Sequence, residues 1–149
     1  MASNNGAIGH MQKSFERLEE ADILYANQKY DGAVGCAYYG VFHAVKAVLA
    51  ADSVTEYSQH KSVLGYFNKH YVNTGLVGSI SARVLKDLFD LRNDSEYNPT
   101  IFIDPEGAAE AIKQAKAAVA YIVDYFNAKG CFRFAAESGF DDDDKGAQI

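Results

Sequence analysis

Residues 33–51 read AVGCAYYGVFHAVKAVLAA, and wound as a helix this run is apolar on almost every side. Such a helix has two homes. It is either enclosed by other helices or crosses a bilayer. Tyr38, Tyr39, His43 and Lys46 within the run, and amphipathic segments on both sides of it, favour enclosure in protein over a membrane. The small residues Gly35, Ala37, Gly40 and Ala44 let neighbouring helices come close. The chain is therefore expected to be built around one central helix.

The rest of the sequence supplies the helices to surround it. Residues 10–28 place Met11, Phe15, Leu18 and Tyr25 at helical spacing. Asp31 is a candidate N-cap for the central helix. After a polar loop at 52–58, a third helix over about 59–73 carries Val63, Leu64, Phe67 and Tyr71 on one face and ends near Gly75. Ser79 or Ser81 is suited to cap a fourth, with the stripe Ile80, Val84, Leu88 and Leu91. Asn98-Pro99 stops it, because proline disfavours helical backbone in the residue before it. Residues 100–103 form an extended link. Asp104-Pro105-Glu106 then starts a last helix that runs to Asn127, with Ala108, Ala111, Ala115, Val119, Ile122 and Phe126 inward. With only two prolines in 149 residues and no convincing strand, the expected fold is all-α, an up-and-down bundle of about five helices.

At 149 residues the chain is one domain, and 48% hydrophobic content is incompatible with bulk disorder. Its expected limits are a flexible segment at 1–9, the bundle at 10–130 and a tail at 131–149. The tail contains DDDDK, a protease-cleavage sequence of the kind vectors add, and is set apart from the fold. Asp141 to Asp144 with Lys145 account for −3 of the net charge of −6, which leaves −3 elsewhere. A surface that is basic overall is thus excluded, and any contact with nucleic acid must be local. Cys36 and Cys131 match no metal-ligand spacing, and no export signal opens the chain. A reduced, cytoplasmic setting is expected.

Chemistry-bearing residues are few. There is no phosphate-binding glycine loop, zinc-binding HExxH, serine elbow or di-iron carboxylate pattern, and no metal or cofactor is expected. His43 in the buried helix reads as a structural histidine or a ligand contact. His60-Lys61 opens the third helix, and His70 sits where a helix C-terminus favours a cation. The run LFDLRNDSEYNP (88–99) is the densest polar feature. Arg92 and Glu96 are four apart and suit an ion pair. Arg92 and Tyr97 lie roughly 140° apart on a straight helix, so they converge only where the chain deviates or a second subunit completes the site.

AYYGVFHAVKAVL (37–49), HKSVLGYFNKHYV (60–72) and LFDLRNDSEY (88–97), in that order and spacing, resemble a prokaryotic, stand-alone branch of the HEPN domain family over roughly residues 10–128. Many members of that family resemble metal-independent ribonucleases, whose motif is arginine, a polar residue, and histidine four to six residues on. Arg92 and Asn93 match its start, but Tyr97 stands where the histidine is expected. Metal-free RNA cleavage needs a base for the 2′-hydroxyl, an acid for the leaving oxygen and positive charge on the phosphate. Arginine suits the last role. Histidine suits the first two, and a phenol with an ordinary pKa near 10 does not. A proton role for His60 or His43 would compensate.

The resemblance implies a homodimer with two Arg92 motifs in one cleft, and a minimal nucleotidyltransferase as antitoxin partner. Arg92, Asn93 and Tyr97 are the candidate catalytic residues, and His60, Lys61, His43 and Glu96 the candidate ligand contacts. Three functions stay open at this point: an RNA-cutting toxin, a non-catalytic RNA- or nucleotide-binding module, and a scaffold whose Arg92 run is only structural.

Overall fold

A computed structural model describes residues 4–77, 82–130, 134–135 and 139–140. The fold is all-α. Five helices, α1 (Asn4–Ala26), α2 (Tyr30–Ala51), α3 (His60–Phe67), α4 (Ala82–Tyr97) and α5 (Pro105–Lys129), carry the core. A π-helical turn, Asn68–Val72, extends α3. Beyond α5, β1 (Phe134–Ala135) pairs antiparallel with β2 (Gly139–Phe140).

The apolar run is enclosed as expected. Twelve residues of α2 are buried, with α1 and α5 providing most of the cover and α3 and α4 the rest. Close approach depends on Gly40. A Cβ there would stand 2.7 Å from Leu18 Cδ2 and 3.3 Å from the Ser14 carbonyl oxygen, so only glycine fits without displacement. Ser14, fully buried, donates its hydroxyl to the Gly40 carbonyl at 2.6 Å, which satisfies a polar group at the tightest point of the seam. Gly35, expected to play a similar part, faces open space.

Helix ends depart from expectation in instructive ways. Helix α1 reaches into the segment 1–9: it starts at Asn4, and Ala7 is fully buried with Met11 on the same face, one turn on. Asp31 does not cap α2. The helix begins before it, and Asp31 instead accepts the Ile103 amide at 3.0 Å, tying the link before α5 to the central helix. Gln28 and Ser53 adopt positive φ where α1 and α2 end, the conformation glycine usually supplies, and six-to-one bonds from Lys29 and Val54 close both ends. Asp104 caps α5 as expected by accepting the Gly107 amide, and Gly130 ends it in the left-handed region.

The inner stripe of α5 is buried throughout. In α4 the fully inward residues are Leu85 and Leu88, while Val84 and Leu91 are half-buried, so its core face is rotated by part of a turn from the expected stripe. Ser79, Ile80, Ser81 and Cys131 lie outside the described residues.

Candidate functional site

Arg92 enters the bundle rather than leaving it. Its side chain is 11% exposed. The guanidinium lies over two rings of α2, 5.0 Å from the Tyr39 centroid and 5.7 Å from that of Tyr38. Nη2 donates to the Tyr39 hydroxyl at 2.6 Å and pairs with Glu96 at 3.0 Å, and Nη1 donates to Asn93 Oδ1 at 2.9 Å. Nε is buried without an acceptor among the described residues, although a buried donor left unpaired costs about 1–3 kcal/mol. Three of the five N–H donors of a guanidinium are thus engaged and others are left over.

His60 joins this group from α3. Its ring stacks on Phe42 at 4.1 Å between centroids and meets Tyr39 edge-on at 5.7 Å, and its Nδ1 lies 2.7 Å from the Tyr38 hydroxyl. Burial holds the Tyr38 phenol well above the usual tyrosine range, so it keeps its proton. Where that phenol donates, His60 accepts at Nδ1 and presents Nε2–H. Burial first, and then the charges of Arg92 and Lys46, push His60 below the ordinary histidine value, so the neutral form dominates at pH 7.

The other candidates divide. Asn93 and Glu96 belong to the Arg92 group. Tyr97 does not: α4 runs unbroken to Tyr97, leaving it on another face and 74% exposed. The helix stop at Asn98-Pro99 comes too late in the chain to turn it. Lys61 is exposed, and its side chain makes no hydrogen bond or ion pair among the described residues. His43 lies one turn along α2 from Tyr39, away from the guanidinium. Its Nδ1 is 3.0 Å from His10 Nδ1 of α1, and the two rings stack at 5.3 Å. Burial, then His10, Lys13, Arg17 and Lys46, hold His43 down to about 4.

Tyr38 and Tyr39, which meet Arg92, and His10, which meets His43, are partners that sequence reading passed over. Two adjacent tyrosines inside an otherwise aliphatic run were the available signal for the first pair. A lone histidine near the chain start gave none for His10.

A surface pocket of about 440 Å³ lies elsewhere, lined by Asp52, His70, Tyr71, Leu76, Tyr125, Ala128 and Lys129. Asp52 is roughly 20 Å along α2 from Tyr39 at 1.5 Å per residue. The Tyr71 hydroxyl donates to Asp52 there, and burial, then that bond, raises the Tyr71 pKa.

An arginine caged by tyrosines, followed by a polar residue and facing a histidine from another helix, is the arrangement that the three sequence blocks build together. Residues 9–125 match the HEPN domain family. The chain belongs to that family. A UPF0332 protein of Thermotoga maritima is 29% identical over 105 residues, covering 70% of this chain and 79% of that protein. A candidate toxin of Methanocaldococcus jannaschii is 34% identical over 82 residues, 55% of this chain and 60% of its own length. A second candidate toxin of the same organism is 30% identical over 98 residues, 66% of each. The matches therefore span under two thirds of both toxin relatives. As a HEPN domain, the bundle places its arginine motif on α4 against buried Tyr38 and half-buried Tyr39 of the α2 core helix.

Proposed function

We propose that this HEPN protein is a toxin-like, RNA-directed component of a two-protein system, with a minimal nucleotidyltransferase as its antitoxin partner, and that it acts on RNA without metal in the cytoplasm. The observation that carries this reading is the guanidinium of Arg92, caged by Tyr38 and Tyr39 and keeping spare N–H donors beside a neutral histidine. A phosphate oxygen competing with Glu96, whose side chain is 43% exposed, would take over the Arg92 fork. His60 supplies the titratable group that Tyr97 does not. The names of the two Methanocaldococcus relatives support the toxin assignment. A homodimer would bring the exposed Tyr97 of one copy towards the motif of another.

A second reading has a specific observation in its favour. Glu96 and Tyr39 already satisfy much of Arg92, as in a purely structural or non-catalytic module. The two separate on one experiment, in which labelled RNA is incubated in EDTA with wild type, Arg92→Ala and Glu96→Gln. Cleavage or binding that Arg92→Ala reduces at least tenfold, and that Glu96→Gln preserves or raises, is expected. Arg92-dependent binding without cleavage assigns a non-catalytic module. Equal loss of folding stability in both variants, with RNA unaffected, assigns a scaffold and ends the proposal.

A further inference from the structure

A chain of direct contacts leads from Arg92 across the molecule. The guanidinium covers Tyr39, Tyr39 meets His60, and His60 stacks on Phe42. The Lys46 ammonium lies 6.0 Å from the Phe42 centroid on the same helix. Phe42 meets His43 edge-on at 6.3 Å, and His43 pairs with His10 of α1. Tyr39, His43 and Lys46 are spaced i, i+4 and i+7, one stripe of α2 about 10 Å long. His10 and Lys13, three residues apart, run beside it on α1.

Among the described residues, the charged groups that act on His10, His43 and His60 are basic: Lys13, Arg17, Lys46, Arg92 or another imidazole of the set. Arg17 is neutralised by Glu16 and Glu20 at 2.7 Å each, but neither Lys13 nor Lys46 has a carboxylate partner among the described residues. The stripe stands in a chain of net charge −6. The described lysines and arginines of α4, and Lys116 of α5, are paired with acids, whereas Lys29, Lys61, Lys69 and Lys113, like Lys13 and Lys46, have no carboxylate partner among the described residues. Half-buried aromatic and imidazole rings alternate with the ammonium groups. A line of cations interleaved with flat rings fits a single-stranded nucleic acid better than an acidic peptide, because rings can take bases while cations take phosphates.

We infer that the α1–α2 seam formed by His10, Lys13, His43 and Lys46 is a track for the phosphate backbone of single-stranded RNA, continuing the strand away from Arg92. It rests on the RNA reading of that residue. The track gives the short Arg92 site what a net-negative protein lacks, a defined approach for a polyanion. Since Lys13 and Lys46 lie outside the motif, they contribute affinity and strand direction without taking part in chemistry.

The test uses full-length protein, EDTA and a fluorescein-labelled, 2′-O-methylated single-stranded RNA that resists cleavage, titrated from about 50 to about 200 mM salt. Each backbone phosphate contact on a single strand contributes about 0.7 to the slope of log K against log salt, so Lys13→Gln with Lys46→Gln is expected to flatten that slope by about 1.4. Affinity at the upper salt falls roughly tenfold. A control pair on α5, Lys113→Gln with Lys116→Gln, leaves the slope unchanged. If the control flattens it equally, binding is diffuse and the track is overturned. If Arg92→Ala weakens binding while the Lys13 and Lys46 pair does not, the track falls and the Arg92 reading stands. If neither matters, both fall. Competition by polyglutamate equal to that by polyuridine assigns the face to an acidic protein segment and overturns the RNA track.

Discussion

Tyr38→Ala is expected to destabilise the protein by about 3–5 kcal/mol, the range for removing a buried aromatic ring. Tyr38 is 1% exposed on the central helix. Its ring stacks with His60 at 5.6 Å, meets Phe89 edge-on at 5.8 Å and lies beneath Arg92. Truncation would open a cavity and withdraw one wall of the arginine cage together. Against a typical total of about 5–15 kcal/mol, the loss brings the bundle close to unfolding at ambient temperature. Tyr38→Phe is the informative comparison. It keeps the ring and removes only the hydroxyl that bonds His60, so it is expected to cost about 1 kcal/mol. Urea unfolding of the two variants measures both values. A cost for Tyr38→Ala no greater than for Tyr38→Phe would mean that the ring is not packed as described.

Gly40→Val is expected to lower stability by about 1–3 kcal/mol or more, because the new side chain overfills the seam between α1 and α2. The atoms that a Cβ would meet include the Ser14 carbonyl, which is backbone and cannot swing aside. Relief requires α1 to shift, and that strains the Ser14 bond and pulls His10 from His43. Gly35→Ala on the same helix has the opposite sign. Nothing among the described residues lies within 4 Å of its Cβ position, and replacing a helical glycine by alanine stabilises by roughly 0.5–1 kcal/mol. Paired thermal melts test the contrast. Melting temperatures that move in the same direction for both variants would contradict the assigned packing.

The core was legible because burial leaves a periodic trace. The run 33–51 announced a central helix, and the alanine stripe of α5 was correct residue by residue. The caps at Asp104 and Gly130 were legible too, since each depends on a residue type with a local physical role. Asp31 shows where such reading stops. It has the chemistry of an N-cap, but its carboxylate serves an amide seventy-two residues away, a contact that local sequence cannot encode. Gln28 and Ser53 likewise occupy left-handed positions that carry no signature in either residue.

The site divided in the same manner. Arg92, Asn93 and Glu96 are neighbours on one helix, so spacing alone grouped them. Tyr39 and His60 reach Arg92 through tertiary packing, and only the fold brings them there. Tyr97 was drawn into the site by its position in a motif. On a continuous helix, however, a residue five places from Arg92 points elsewhere, and the exposure of its side chain follows from that geometry.

Photocrosslinking locates the RNA most directly. Wild-type protein irradiated with bound single-stranded RNA, digested and mapped by mass spectrometry, is predicted to carry adducts on Tyr39 and His60, and on peptides bearing His10 and His43. Adducts confined to Tyr71 and Tyr125 of the distant pocket, with none near Arg92, would contradict the account.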